Sequence, residues 1–141
     1  MPKLLIAIDD SPYALHGVTH VIKKITQWKE SPELHLINVQ HPFHGGISSF
    51  VSAAQIKQVH QEEGDKELAA ARKLLDDAGI TYHIHLFVGD PAEVITRFAE
   101  QEGIDEIVMG TRGQGAVSNL LLGSVASKVI DLAKVPVLLV K

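Results

Sequence analysis

Apolar residues fall into five short runs, and between these runs the pattern changes to a helical period. Residues 4–8 form a continuous apolar run without polar alternation, which is typical of a strand buried on both faces of a parallel sheet. The other runs predict strands at residues 34–39, 80–88, 107–109 and 136–140. The run at 80–88 alternates polar and apolar side chains, so we expect one wetter face and a place near a sheet edge.

Four segments with helical periodicity separate these strands, at about residues 12–28, 53–78, 91–102 and 124–133. Ser11 and Asp90 precede two of the segments as predicted N-caps, and Gly79 follows the longest one as a C-terminal cap. Gly64 lies inside that longest segment and is expected to kink or divide it. Residues 40–52 contain a proline, two adjacent glycines and three serines, and they predict a loop.

The strict alternation of strands and helices predicts one α/β domain over residues 1–141. Right-handed crossovers give a doubly wound, five-stranded parallel sheet covered by helices on both faces, a three-layer, Rossmann-like α/β/α architecture. We expect the strand order 3-2-1-4-5, because such a sheet starts near its middle, builds outward and then returns to build the other way. Strands 1 and 4 then lie side by side, and ligands bind where their carboxyl ends diverge.

The segment after the fourth strand carries four glycines within fourteen residues and leads into a helix. Backbone amides can approach a ligand closely where no Cβ intervenes, and a helix N-terminus favours anions. We therefore predict a phosphate-binding turn over residues 110–124, to which Ser124 adds a hydroxyl group and Arg112 a positive charge. The alternative is a long surface loop whose glycines only make turns.

The familiar phosphate loops do not fit this chain. A Walker-type loop ends in Gly-Lys-Ser/Thr, and that tripeptide does not occur. Residues 113–118 begin like the dinucleotide fingerprint but lack its third glycine, and they follow strand 4 rather than strand 1. A flavin site would require a Ser/Thr-rich phosphate turn after strand 1. This chain has Asp9 and Asp10 there, whose negative charge does not suit a phosphate.

Composition excludes several classes of protein. The net charge is -4 and the thirteen basic residues are scattered, which argues against nucleic-acid binding. The absence of cysteine excludes disulfides, thiolate metal sites and thiol catalysis. No apolar run approaches the roughly 20 residues of a membrane span, and the N-terminal apolar stretch is too short for a secretory signal. We expect a cytoplasmic protein.

Eight histidines raise the question of a metal site. Three pairs are close in sequence, namely His16 with His20, His41 with His44, and His83 with His85. The first pair has the four-residue spacing of helical ligands but lacks the acid of the metalloprotease arrangement. We expect solvent-exposed histidines and no metal site. No nucleophile is paired with a base, so no catalytic residue is predicted.

The spacing of Gly110, Gly113 and Gly123-Ser124, written G-x2-G-x9-G-[S/T], resembles the nucleotide signature of the universal stress protein family. The resemblance extends along nearly the whole chain, at residues 5–11, 89–91 and 136–140. Asp10 departs from the family pattern, in which glycine is common at that position. The resemblance implies the fold of the adenine nucleotide alpha hydrolases and binding of ATP, or of AMP or ADP, with or without Mg²⁺.

Carried over by position, the resemblance places Asp9 on the ribose or adenine side, with Ala7 and the backbone around Val39 beside the base. Met109 lines the adenine pocket. The turn then completes the site and holds ribose and phosphates, through Gly110, Thr111, Arg112, Gly113, Gln114, Gly115, Gly123, Ser124 and Val125.

Residues 136–140 form the last strand of the predicted sheet and carry no charge before Lys141. An exposed edge is shielded or pairs with another chain, and members of the family commonly dimerise through it. We expect a homodimer. The hypothesis is an ATP-binding regulatory protein of the stress response, whose nucleotide orders residues 110–124. The alternatives are a slow ATPase or phosphotransferase using the same pocket, and an interaction module with an empty pocket.

Overall fold

The computed structural model describes residues 1–43, 51–113 and 122–141. Within them, strands and helices alternate strictly along the chain. In chain order the elements are β1 (Lys3–Ala7), α1 (Pro12–Ile25), β2 (Glu33–Gln40), α2 (Ala53–Asp77), β3 (His83–Val88), α3 (Pro91–Gln101), β4 (Glu106–Gly110), α4 (Ser124–Leu132) and β5 (Val137–Val140). None of the helices in these three ranges is long and apolar enough to cross a membrane.

The five strands form one parallel sheet in the order β3-β2-β1-β4-β5. The predicted order and the doubly wound α/β class are therefore confirmed. β1 and β4 are neighbours, with Ile6 opposite Val108. The sheet thus has its switch point between these two strands, and their carboxyl ends lead into the turns that begin at Asp9 and Thr111.

The side chains of β1 show how the three layers are built. Leu4 and Ile6 belong to the core beneath α1 and α2, whereas Leu5 between them belongs to the core beneath α3 and α4. All three side chains are buried. Because successive strand residues face opposite sides, a continuous apolar run is what a sheet covered on both faces requires.

Gly64 does not kink or divide its helix, so that expectation is wrong. α2 runs unbroken from Ala53 to Asp77. A Cβ on Gly64 would overlap the side chain of Leu86 in β3 and would lie 3.2 Å from Asn38 Oδ1 in β2. The glycine is explained by the close approach of α2 to the sheet.

The helix caps were predicted with mixed success. Asp90 accepts a hydrogen bond from the Glu93 amide at 3.1 Å, as expected of an N-cap. Gly79 follows α2 with a φ of 70°, as a C-terminal cap requires. Ser11 precedes α1 but makes no capping bond with its side chain, because its hydroxyl donates to Asp9 Oδ1 at 2.5 Å instead. Ser11 thus occupies the predicted N-cap position, but its side chain does not make the expected capping bond.

Candidate functional site

A hollow of about 430 Å³ opens where the carboxyl ends of β1 and β4 diverge, at the predicted switch point. Most of the predicted site residues lie on its wall. These are Ala7, Asp9, Val39, Met109, Gly110, Arg112, Gly113, Gly123, Ser124 and Val125. The sheet therefore brings together residues that are more than a hundred positions apart in the sequence.

Thr111 is a predicted site residue that does not line the hollow. Its amide donates to the Val140 carbonyl at 3.1 Å, and its own carbonyl accepts from the Gly123 amide at 2.6 Å. Thr111 thus joins β5 to the start of α4 through its backbone. Gln114 and Gly115, also predicted for the site, lie outside the described residues.

The glycines on the wall are needed for space. A Cβ on Gly110 would lie 2.7 Å from the Tyr13 carbonyl oxygen, and one on Gly113 would lie 2.7 Å from Asp9 Oδ2. Neither they nor Gly123 is among the described glycines with positive φ. Their backbone angles therefore do not require glycine, whereas close approach of the backbone is a sufficient reason.

The amide donors at the end of the turn differ from the expected set. The Gly123 amide was predicted to face a ligand, but it donates to Thr111. The next residues, Ser124, Val125 and Ala126, form the first turn of α4 and line the hollow. Amides in the first turn of a helix have no acceptor within that helix. Anion binding here would therefore use the N-terminus of α4 rather than Gly123.

The Asp9 carboxylate is oriented by the turn that follows β1. Its Oδ1 accepts two hydrogen bonds from Ser11, one from the amide at 2.9 Å and one from the hydroxyl at 2.5 Å. Its Oδ2 faces the backbone of Gly113. The carboxylate thus stands between the turn after β1 and the turn after β4, where it can accept hydrogen bonds from a ligand hydroxyl.

Arg112 brings a positive charge to the wall of the hollow. Its guanidinium carbon lies 6.0 Å from the ring centroid of Tyr13 in α1, a distance at which a cation is attracted to an aromatic face. Arg112 is half-buried. The ring therefore gives this long side chain a resting position beside the glycine turn.

The rest of the wall is largely apolar. Ile37 and Val39 of β2, Ile95 of α3 and Met109 of β4 all line the hollow. Ile37, Ile95 and Met109 are almost completely buried. A flat, apolar ring can be covered by such a surface with little loss of polar contacts.

A polar network beside the hollow was missed by the sequence analysis. The buried Asn38 donates to the Ile8 carbonyl at 3.0 Å and to Glu67 Oε2 at 2.7 Å. Gln40 donates to the same Glu67 oxygen at 2.6 Å and to Asn38 Oδ1 at 2.8 Å. Gln40 and Glu67 line the hollow. The signal was an asparagine between the apolar Ile37 and Val39 of β2, because a buried amide needs specific partners.

α3 and α4 are joined at the mouth of the hollow by an exposed ion pair. Lys128 of α4 lies 3.0 Å from Asp90 Oδ2 and 3.5 Å from Glu93 Oε1. The hydrogen bond from Lys128 is the main cause that lowers the pKa of Asp90, followed by the bond from the Glu93 amide. The same Asp90 bond raises the pKa of Lys128. The pair links the N-terminus of α3 to the middle of α4.

The histidines only partly follow expectation. His16 and His83 are exposed, as predicted. His85 is half-buried and its Nε2 lies 2.8 Å from Nδ1 of the buried His35, so the expected solvent-exposed side chain is wrong there. His44 lies outside the described residues. Within the described ranges, no group of three or more His, Asp or Glu side chains is arranged to hold a metal ion.

Comparison with known sequences and structures identifies the family. The sequence profile described as "Universal stress protein family" matches residues 1–141. Universal stress protein MJ0531 of Methanocaldococcus jannaschii is 35% identical over 140 residues, which cover 99% of this chain and 81% of that protein.

Solved structures agree with that match. The structure of hypothetical protein MJ0577 superposes with a TM-score of 0.83 at 32% identity, covering 99% of this chain and 95% of the other. The universal stress protein from Archaeoglobus fulgidus, described in complex with dAMP, has a TM-score of 0.69 at 24% identity and covers 100% of this chain and 98% of its own. The second likeness concerns the fold alone. With its whole length matched by one profile, this chain belongs to the universal stress protein family.

Proposed function

We propose that this chain binds an adenine nucleotide, in the first place ATP, in the hollow between β1 and β4. The observation that carries the proposal is the composition of the wall, which combines an apolar surface with the N-terminus of α4 and Arg112. An apolar surface suits the base, and helix amides with a positive charge suit phosphates. The related structure described with dAMP supports an adenine nucleotide as the ligand class.

The wall also offers separate contacts for the base, the ribose and the phosphates of such a ligand. Val39 and Met109 would flank the base, and Asp9 would accept the ribose hydroxyls. Ser124 and Arg112 would hold the phosphates. The hollow of about 430 Å³ lies within the range of roughly 300–1,000 Å³ that small-molecule sites occupy.

Mg²⁺ would enter with the phosphates. Asp9 and Glu67 place carboxylate oxygens on the wall, and oxygen is the ligand atom that Mg²⁺ prefers. The described residues hold no group of three ligands for a metal ion. We therefore expect ATP to carry the ion into the site, where the protein would supply one or two oxygens.

Binding of the nucleotide would regulate the activity of this protein in the stress response. β5 forms one edge of the sheet, and its four residues are all half-buried in the single chain. Such an edge can pair with the same strand of a second copy about a two-fold axis, so a homodimer is part of the proposal. A cytoplasmic location remains a prediction from the sequence.

The experiment is calorimetric titration of the purified chain with ATP, ADP and AMP in the presence and absence of Mg²⁺. Ser124→Ala removes a hydroxyl from the wall, and Ser127→Ala makes the same change on the exposed surface one turn later in α4. We expect about a tenfold loss of ATP affinity in Ser124→Ala, the effect of one hydrogen bond to a charged group. Ser127→Ala should bind like the wild type.

Three results would contradict parts of the proposal. The absence of heat with all three nucleotides at high micromolar concentration would leave an interaction module with an empty pocket. Equal affinities of the two serine variants would remove the Ser124 hydroxyl from the site. Sustained release of ADP in the same solutions would assign a slow ATPase instead of a regulatory binder.

A further inference from the structure

Three imidazole rings lie side by side on the face of the sheet that α3 covers. His35 of β2 lies between His83 and His85 of β3, with ring centroids 4.9 Å and 5.1 Å away. The parallel register pairs His35 with His83 and brings His85 opposite Ile37. His35 is buried, His85 is half-buried and His83 is exposed. This cluster is at the β3 edge of the sheet, and none of its members lines the hollow.

Hydrogen bonds fix where the protons of the cluster can be. His35 Nε2 lies 2.8 Å from Glu33 Oε1 and therefore carries a hydrogen, because a carboxylate only accepts. His35 Nδ1 lies 2.8 Å from His85 Nε2, and such a contact between two imidazoles needs one hydrogen between the nitrogens. The His35–His85 pair can satisfy this contact when both rings are neutral or when one of them is charged.

Adding a second proton to the His35–His85 pair breaks the contact. Both facing nitrogens would then carry hydrogens, and two positively charged rings would be held with their centroids 5.1 Å apart. The first proton has no such effect, because Glu33 stabilises a single positive charge on the pair. The hydrogen bond between His35 and His85 is thus kept when the pair gains one proton and is lost when it gains two.

The surroundings of His85 favour its neutral form. Burial is the main cause that lowers the pKa of His85 below its ordinary value of 6.5, followed by the charges of His35 and His83. On α3, Glu102 opposes this effect, and the uncharged Phe98 ring lies 4.4 Å from the His85 ring. A separated His85 binds a proton more tightly than the paired one, so falling pH favours separation below about pH 6.5.

Glu33 titrates in a separate and more acidic range. The hydrogen bond from His35 is the main cause that lowers the pKa of Glu33, with smaller contributions from the charges of Lys3 on β1, His35 and His83. Its stabilising effect is therefore present above its ordinary value of 4.5 and is lost as the pH falls below it. Separation of the two imidazoles comes first on acidification.

Two elements connect the His35–His85 pair to the hollow. β2 continues from His35 to Val39 and Gln40, which line the hollow. The ring of Phe98 packs against His85, and it belongs to α3, whose Pro91 and Ile95 also line the hollow. A change at the edge strand therefore reaches one wall of the site through contacts that are already in place.

We propose that the His35–His85 pair, with Glu33, is a proton-operated switch that holds β3 against β2 and α3 and releases the edge strand when both imidazoles are charged. Release displaces α3 and weakens ligand binding in the hollow, so the switch regulates the site in acid. This consequence for the ligand rests on the proposed nucleotide function. The release of β3 itself does not.

The test compares His85→Gln with His83→Gln. The glutamine amide at position 85 can donate to neutral His35 or accept from charged His35, and it does not titrate. His83→Gln makes the same change two residues away, at a ring that stacks on His35, whereas His85 shares a hydrogen bond with it. Amide hydrogen exchange of residues 83–88, corrected for intrinsic rates, is followed from about pH 7.5 to about pH 5.5, on either side of the ordinary histidine value. ATP affinity is measured in the same solutions, with a chelator for transition metals.

We expect protection of β3 amides to fall about tenfold or more in the wild type and in His83→Gln, and to stay nearly constant in His85→Gln. ATP affinity should fall several-fold further in the wild type than in His85→Gln. The comparison cancels protonation of the nucleotide itself, because the same ligand is used with both proteins.

Constant protection in the wild type, or an equal fall in His85→Gln, would overturn the switch. Equal pH dependence of ATP affinity in the two proteins would overturn its link to the site. A chain that binds no nucleotide at any pH refutes the proposed function, while the exchange data still decide the switch. Should His85→Gln fail to fold, His35→Gln replaces it, because its amide can likewise donate to or accept from His85 and does not titrate. An equal fall of protection in that variant would count against the proposal.

Discussion

Gly64 and Gly17 offer a prediction in which the same substitution has opposite effects. Both glycines are buried in helices, α2 and α1 respectively. Replacing glycine by alanine inside a helix adds roughly 0.5–1 kcal/mol to the free energy of unfolding, because the chain loses less conformational freedom on folding. The space around the new Cβ then decides the sign.

The space differs sharply between the two positions. At Gly17 the Cβ would lie 3.4 Å from Val108 Cγ1 and 3.8 Å from Ile6 Cγ2, which are ordinary packing distances. Gly17→Ala should therefore stabilise the protein by about 0.5–1 kcal/mol. At Gly64 the Cβ would overlap Leu86 and crowd Asn38. Overpacking costs about 1–3 kcal/mol, which exceeds the helix gain, so Gly64→Ala should destabilise by about 1–2 kcal/mol.

Urea unfolding followed by circular dichroism measures both effects. We expect the midpoint to rise for Gly17→Ala and to fall for Gly64→Ala, with unchanged slopes. The double variant Gly64→Ala with Leu86→Ala removes the group that clashes, so it should recover part of the loss relative to the sum of the single changes. Gly64→Ala with wild-type or higher stability would refute the explanation of this glycine by close packing.

Three further predictions concern the site and its surroundings. Asn38→Ala should lower the free energy of unfolding by about 1–3 kcal/mol in urea, since it removes the Asn38 donor from the Ile8 carbonyl and one of the two donors to Glu67; unchanged stability would contradict the network. Arg112→Gln should weaken ATP about tenfold and AMP less, because ATP carries more phosphate charge; equal losses in calorimetry would contradict a phosphate role. The lowered pKa of Asp90 means that its bonds, including that to Lys128, stabilise the fold above its ordinary value of 3.8 and are lost as the pH falls below it. Asp90→Asn should therefore flatten the acid side of a stability–pH profile, and an unaltered profile would show that the ion pair contributes nothing.

The fold could be predicted because the signals were local and periodic. Each strand was marked by its apolar run and each helix by its 3.6-residue period, and the rules for parallel sheets then left one plausible order. The hollow followed from that order, since the switch point requires the turns after β1 and β4 to meet. The errors lay elsewhere, in positions whose surroundings come from distant segments.

Ser11 and His85 illustrate why those errors arose. Ser11 has the residue type of an N-cap, but its hydroxyl donates to Asp9, two positions earlier, and not to the helix. His85 stands in an alternating strand, which predicts a polar face in water, yet the edge strand places it on His35, fifty residues away. Gly64 is similar, because a clash with Leu86 cannot be read from α2 alone. Periodicity predicts which face a residue occupies, whereas the partner on that face depends on the tertiary fold.

Thr111 shows how a residue predicted to bind a ligand can serve the same site differently. Its amide is bonded to Val140 at the end of β5, and its carbonyl is bonded to Gly123, the N-cap of α4. Two consecutive backbone hydrogen bonds thus connect the hollow to the β5 edge. The residue that follows each bonded partner, Arg112 after Thr111 and Ser124 after Gly123, lines the hollow. A ligand that displaces the first turn of α4 on binding would either break the hydrogen bond from Gly123 to Thr111 or carry Thr111 with it. In the second case the displacement reaches β5, the edge proposed to join two copies, and by linkage the association of that edge would alter ligand affinity by the same factor.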